Sequence, residues 1–68
     1  MTITELRKIA ISLLKDNWVE TGDNQYYIKE LKEADKEDLE SVLSEIESNA
    51  TKNADMVQDL IDELQSLL

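Results

Sequence analysis

The sequence predicts an all-α fold, a small three- to four-helix bundle formed by a single domain of residues 1–68. Three observations support this prediction. The chain contains no proline and one glycine, Gly22, so few positions force a helix to break. Apolar residues recur at intervals of three and four along most of the chain. Thr2 and Asp35, which are both favourable N-cap residues, precede two of the apolar segments.

The first helix is expected at about residues 4–18. Thr2 and Glu5 have the spacing of a capping box, in which each side chain accepts from the other residue's backbone N–H. Trp18 closes the apolar face, and we expect it in the core because an indole supplies much of what so small a core can bury. The other apolar residues at helical spacing are Leu6, Ile9, Ala10, Ile11, Leu13 and Leu14.

A turn followed by a short helix is expected next. Residues 19–25 are turn-like, with Gly22 near the centre. A β-hairpin across this turn is an alternative, but we favour a short helix at about residues 25–33. Tyr26 and Tyr27 are adjacent and cannot both face inward from one helix, so one of them should be exposed.

The second half of the chain is expected to form a helical hairpin. Asp35 is a suitable N-cap for a helix at about residues 36–49. The weak helix formers that follow, and a further cap at Asn53 or Asp55, favour a separate helix at about residues 54–67.

A continuous heptad pattern supports a different arrangement. Nine residues are spaced alternately four and three apart: Leu39, Leu43, Ile46, Ala50, Asn53, Val57, Leu60, Leu64 and Leu67. This seam would suit one long helix, residues 36–68, packed on the first helix in a dimer. The two arrangements differ in whether the chain turns at residues 49–53.

Charge is divided unevenly between the two halves. Residues 1–36 contain seven acids and six bases, whereas residues 37–68 contain nine acids and one base, Lys52. Nearly all of the net charge of −9 therefore belongs to the predicted hairpin. Such a surface repels itself and attracts counter-ions or a basic partner. An ordinary solubility surface usually mixes the two signs more evenly.

Composition argues against several classes of function. The chain has neither histidine nor cysteine, so it lacks the commonest general base, thiolates and the commonest metal ligands. Aligning Gly22 with the glycine of an EF-hand leaves most calcium-ligand positions without suitable oxygens. We therefore expect no catalytic residues, no cofactor and no metal site, and a protein that is not an enzyme.

Nucleic acid and membranes are also unfavourable direct partners. Seven bases against sixteen acids cannot supply the counter-ion release that drives binding to nucleic acid. The apolar run at residues 9–14 is too short for a signal peptide or a membrane span. The acidic chain would be repelled by an anionic leaflet, so we expect a cytoplasmic protein.

These observations favour a non-enzymatic acidic helical module that binds a basic surface of another protein, as a small inhibitor or adaptor. The candidate partner-binding residues are Glu37, Glu40, Glu45, Glu47, Asp55, Asp59, Asp62, Glu63 and Tyr26. One alternative is a DNA mimic that inhibits a nucleic-acid-binding protein. Another is a coiled-coil domain that forms a homodimer through Leu39, Leu43, Ile46, Val57, Leu60 and Leu64.

Overall fold

The computed structural model describes residues 1–67 and confirms the all-α bundle. It contains four helices: α1 (Ile3–Lys15), α2 (Asn24–Glu33), α3 (Lys36–Asn49) and α4 (Ala54–Leu67). The last three agree with the predicted ranges to within one residue at each end. Leu68, which ends the predicted domain, lies outside the described residues. No helix within residues 1–67 has the length and apolar character needed to cross a bilayer.

The capping box at the start of α1 is confirmed. The backbone N–H of Glu5 donates to the Thr2 hydroxyl over 3.1 Å, and the Thr2 N–H donates to the Glu5 carboxylate over 3.3 Å. Asp35 likewise caps α3, because its carboxylate accepts from the N–H groups of Glu37 and Asp38. Both caps satisfy backbone donors that have no partner inside their helix.

The first helix ends three residues earlier than predicted. Asp16 is its C-cap, and Asn17 then adopts a left-handed conformation with φ of 60°. Asparagine is one of the few residues that tolerate this conformation, which commonly ends a helix. The reversal buries Val19 completely and leaves Trp18 56% exposed. The prediction that Trp18 lies in the core was therefore wrong, and Val19 takes an inward position instead.

The four helices surround one apolar core. Both α2 and α4 pack against α1 and α3, and the described parts of α2 and α4 do not contact each other. It follows that α1 and α3 lie diagonally across the bundle. The buried residues are Leu6, Ala10, Leu14, Val19, Tyr27, Ile28, Leu31, Ala34, Leu39, Val42, Leu43, Ile46, Val57, Leu60, Ile61 and Leu64.

The chain turns between α3 and α4, so the helical hairpin is confirmed and the single long helix is wrong. Asn53 interrupts the heptad seam with a left-handed φ of 56°. The six seam residues proposed for a homodimer, which are all buried in the core of one chain, are Leu39, Leu43, Ile46, Val57, Leu60 and Leu64. A homodimer through them would require the bundle to open, so this part of the coiled-coil alternative is corrected.

The α1–α2 loop and the α3–α4 loop are joined at one end of the bundle. The Thr51 N–H and hydroxyl both donate to the Glu20 carbonyl oxygen, over 2.7 and 3.1 Å. Glu20 and Lys52 form an isolated antiparallel β-bridge. The Asn53 side-chain amide donates to the Trp18 carbonyl oxygen over 2.6 Å. We call this set of contacts the loop clasp; it uses the Asn53 amide to join the loops.

Candidate interaction surface

Tyr26 and Tyr27 lie in the first turn of α2 and face opposite ways, as predicted. Tyr26 is 56% exposed, whereas Tyr27 is 5% exposed. The two rings meet edge to face, with centroids 5.3 Å apart. The Tyr27 hydroxyl accepts a hydrogen bond from the Asn49 side chain on α3 over 2.7 Å. Tyr26 is therefore an exposed aromatic residue that rests on a fixed, buried one.

The negative charges of two carboxylates, one on α2 and one on α3, act on Tyr26. Its pKa is raised mainly by the negative charge of Glu30, one helical turn further along α2. Slight desolvation and the charge of Glu45 on α3 act in the same direction. The fold thus brings Tyr26 and Glu45 together although they are far apart in the sequence.

The outward face of α3 continues this acidic environment. It carries a shallow depression that is lined by three acids and three serines: Glu37, Glu40, Ser41, Ser44, Glu45 and Ser48. The serine hydroxyls are short donors and acceptors that leave the carboxylates accessible. We define the Tyr26 surface as Tyr26, Glu30, Glu37, Glu40 and Glu45.

The acids of α4 lie apart from Tyr26. This helix has four acids and no base within its described length: Asp55, Asp59, Asp62 and Glu63. All four are exposed, and the Gln58 side chain donates to the Asp62 carboxylate over 2.9 Å. Because α2 and α4 do not contact each other, the α4 acids lie on a different side of the bundle from Tyr26, with α3 adjacent to both helices. Glu47 is half-buried on α3 and does not line the depression on that helix.

Glu30 is the one member of the Tyr26 surface that we did not single out from the sequence. Residues 29–33 have the alternating charges of an exposed helix, which gave Glu30 no special role. Its spacing of four from Tyr26 was the available signal, because residues four apart are neighbours on a helix. The contribution of Glu45 had no such signal, because it depends on how α2 packs against α3.

The arrangement is suited to binding cations and hydrogen-bond donors at an open surface. No acidic or basic residue within residues 1–67 is fully buried, and no group of three or more carboxylates there is placed to hold a metal ion.

The chain shows no significant match to any protein-family model, to any curated protein or to any solved structure.

Proposed function

We propose that this protein is a non-enzymatic interaction module whose Tyr26 surface binds a basic surface of another protein. The observation that carries the proposal is the exposed Tyr26 ring, on which the charges of Glu30 and Glu45 from two helices both act. An amphipathic aromatic residue among charges is a common centre of binding energy in protein interfaces.

Charge and aromatic area would contribute in different ways. The excess of acids on α3 attracts a basic partner from a distance and raises the association rate. Tyr26 then provides contact area at small entropic cost, since it has only two side-chain torsions and its neighbour Tyr27 is fixed by Asn49. Arginine is the best-matched partner residue, because its guanidinium pairs with carboxylates and stacks on aromatic rings.

The partner's response distinguishes an inhibitor from an adaptor. If the basic surface of the partner is its own functional site, occupying it inhibits the partner. If the surface lies elsewhere, the module links the partner to something else. We favour the inhibitor, because a site that binds anionic ligands is already basic and open.

The test is a capture experiment from the native host. The baits are the wild-type protein, Glu37→Lys with Glu45→Lys on the Tyr26 surface, and Asp59→Lys with Asp62→Lys on α4. Both double variants change the net charge by the same amount, and circular dichroism checks that each remains helical. A basic protein retained by the wild type and the α4 variant, but lost with the α3 variant, supports the proposal. If both variants lost the captured protein equally, the binding would be nonspecific attraction by net charge, and the proposal would be wrong.

A DNA mimic is the second candidate, and the helical hairpin is the observation that favours it. The helices α3 and α4 have 14 residues each, so they are about 21 Å long at 1.5 Å per residue. Their nine acids then correspond to roughly one charge per 2.3 Å of length, against about one per 1.7 Å in duplex DNA. Competition between duplex DNA and the protein for the captured partner separates this candidate from a DNA-independent contact.

A further inference from the structure

The exposed side of α1 differs from the rest of the surface. A shallow depression there is lined by Lys8, Ile9, Ser12, Leu13, Asp16 and Trp18. Trp18 is 56% exposed and Ile9 is 37% exposed, while Leu13 is partly buried against the core. We call these six residues the Trp18 patch. It contains the largest side chain of the protein, and one base and one acid flank its apolar centre.

Backbone contacts hold Trp18 in its outward position. The left-handed residue Asn17 reverses the chain before it, and the Val19 N–H after it donates to the Leu13 carbonyl oxygen over 3.1 Å. The Trp18 carbonyl oxygen accepts from Asn53 in the loop clasp. The backbone that places this indole outward is therefore fixed by contacts within the fold, which lowers the backbone ordering cost in an interface.

The distribution of charge indicates which partner this patch can bind. The helix α1 contains three bases and one acid, whereas α3 and α4 each carry a net charge of −4. Two copies of a chain with a net charge of −9 repel each other at their α3 and α4 faces. Contact through the α1 face keeps the acidic α3 faces apart, and Lys8 and Asp16 provide one charge of each sign there.

We propose that the Trp18 patch is the surface through which two copies of this chain associate. Lys8 and Asp16 are eight residues apart, about 12 Å along the helix, and the exposed, small Ser12 lies midway between them. A two-fold axis beside Ser12 makes the two α1 helices antiparallel. Lys8 of each copy then lies opposite Asp16 of the other, which is the self-complementarity that a two-fold interface requires. The apolar residues of the two patches cover each other.

The expected dimer is small and leaves the acidic face of α3 free. The chain measures 29 × 22 × 17 Å. Contact through the face of one helix therefore buries an area at the lower end of the range for specific interfaces. Because α3 lies diagonally across the bundle from α1, the two α3 faces point away from the dimer. Tyr26, on α2, lies nearer the interface, since it lines a depression together with Asn17. The inference does not depend on the proposed function, although a dimer would present the Tyr26 surface twice.

Sedimentation velocity from about 10 μM to about 1 mM protein, at physiological salt, tests the proposal over the range of weak association. We expect the wild type and Tyr26→Ala to shift from monomer to dimer, and Trp18→Ala to remain monomeric. Tyr26→Ala is a matched control, because it removes an equally exposed aromatic ring elsewhere. A wild type that stays monomeric throughout, or a Trp18→Ala variant that dimerises equally well, overturns the proposal.

A charge-swap experiment tests the two-fold pairing itself. Lys8→Glu and Asp16→Lys each place like charges opposite one another, so each should weaken the dimer by about threefold or more. Combining them restores opposite charges and should recover the wild-type dissociation constant. The double variant has the same net charge as the wild type, so restored association supports the pairing. Failure to recover association contradicts the antiparallel arrangement.

Discussion

The side-chain amide of Asn53 donates a hydrogen bond to the Trp18 carbonyl oxygen over 2.6 Å, although 35 residues separate the two. Asn53 adopts a left-handed backbone conformation immediately before α4. One residue thus ends the α3–α4 turn and also fixes the loop that follows α1. Asn53 therefore acts both in the turn between α3 and α4 and on the backbone that places Trp18 outward.

Asn53→Ala should destabilise the protein by roughly 1–2 kcal/mol, because alanine is strained at positive φ and cannot form the hydrogen bond. Asn53→Gly loses the bond but tolerates the conformation, so it should cost less. Urea denaturation followed by circular dichroism measures both values. If alanine were as well tolerated as glycine, backbone strain at this position would be unimportant.

Trp18 should behave in solution as an exposed residue. Its fluorescence emission should lie close to that of the unfolded chain, and acrylamide should quench it efficiently, because the indole is 56% exposed. The measurements need protein dilute enough to be monomeric. Trp18→Ala should change the stability of the monomer by about 0.5 kcal/mol or less, as is usual for surface positions. A blue-shifted, poorly quenched emission would place the indole in the core.

Trp18 also shows where reasoning from the sequence reaches its limit. Its spacing from Leu14 continues the helical pattern, but Asn17 ends that pattern by adopting a conformation few other residues tolerate. The turn in the second half was predictable, because weak helix formers and a cap signal accompany it. The heptad seam supported a long helix instead, because the same spacing of apolar residues suits either a dimer interface or the core of one chain. In this structure the residues are buried in the core.

The Tyr26 surface was only partly predictable for a related reason. Adjacent tyrosines on one helix must diverge, so an exposed tyrosine followed from the sequence alone. Which carboxylates surround it depends on how α2 meets α3, and local spacing carries no information about that contact. The sequence therefore predicted the residue types of the surface, and the packing selected its members.

Shortening a buried side chain of the heptad seam should reduce stability far more than shortening an exposed one at its end. Leu43 is almost fully buried, so Leu43→Ala should cost about 2–5 kcal/mol, comparable to the whole stability expected of so small a domain. Leu67→Ala is the matched control, since Leu67 belongs to the same heptad pattern but is 39% exposed. Thermal unfolding of both variants checks this. Similar losses of stability in the two variants would indicate that Leu67 contributes to the core as much as Leu43 does.

Salt should stabilise this protein. The helices α3 and α4 pack against each other and each has a net charge of −4, so screening relieves repulsion in the folded state. We expect the thermal midpoint to rise when NaCl is increased to about 0.5 M, where the screening length is well below 10 Å. Asp59→Asn with Asp62→Asn should reduce the dependence on salt. An unchanged or lower midpoint for the wild type would argue against this repulsion.

The pKa of Tyr26 should report directly on its neighbours. It is raised by the charge of Glu30 first and also by that of Glu45, so Glu45→Gln should lower it toward the ordinary tyrosine value. Glu37→Gln is the matched control, because it removes the same charge from α3 at a position that does not act on Tyr26. A pH titration by NMR of ring-labelled tyrosine separates Tyr26 from Tyr27. Equal shifts in the two variants would mean that Glu45 is not close to the ring.

The same pKa shift gives stability a defined dependence on alkaline pH. Because the folded protein favours the protonated phenol of Tyr26, the associated stabilisation is complete below the ordinary tyrosine pKa. It is lost as the pH rises through the raised value, where the folded chain also releases its proton. Tyr26→Phe has no proton to release, so its stability should fall less than that of the wild type across this window. Urea denaturation at a series of alkaline pH values measures the difference, and parallel curves for the two proteins would contradict the assignment.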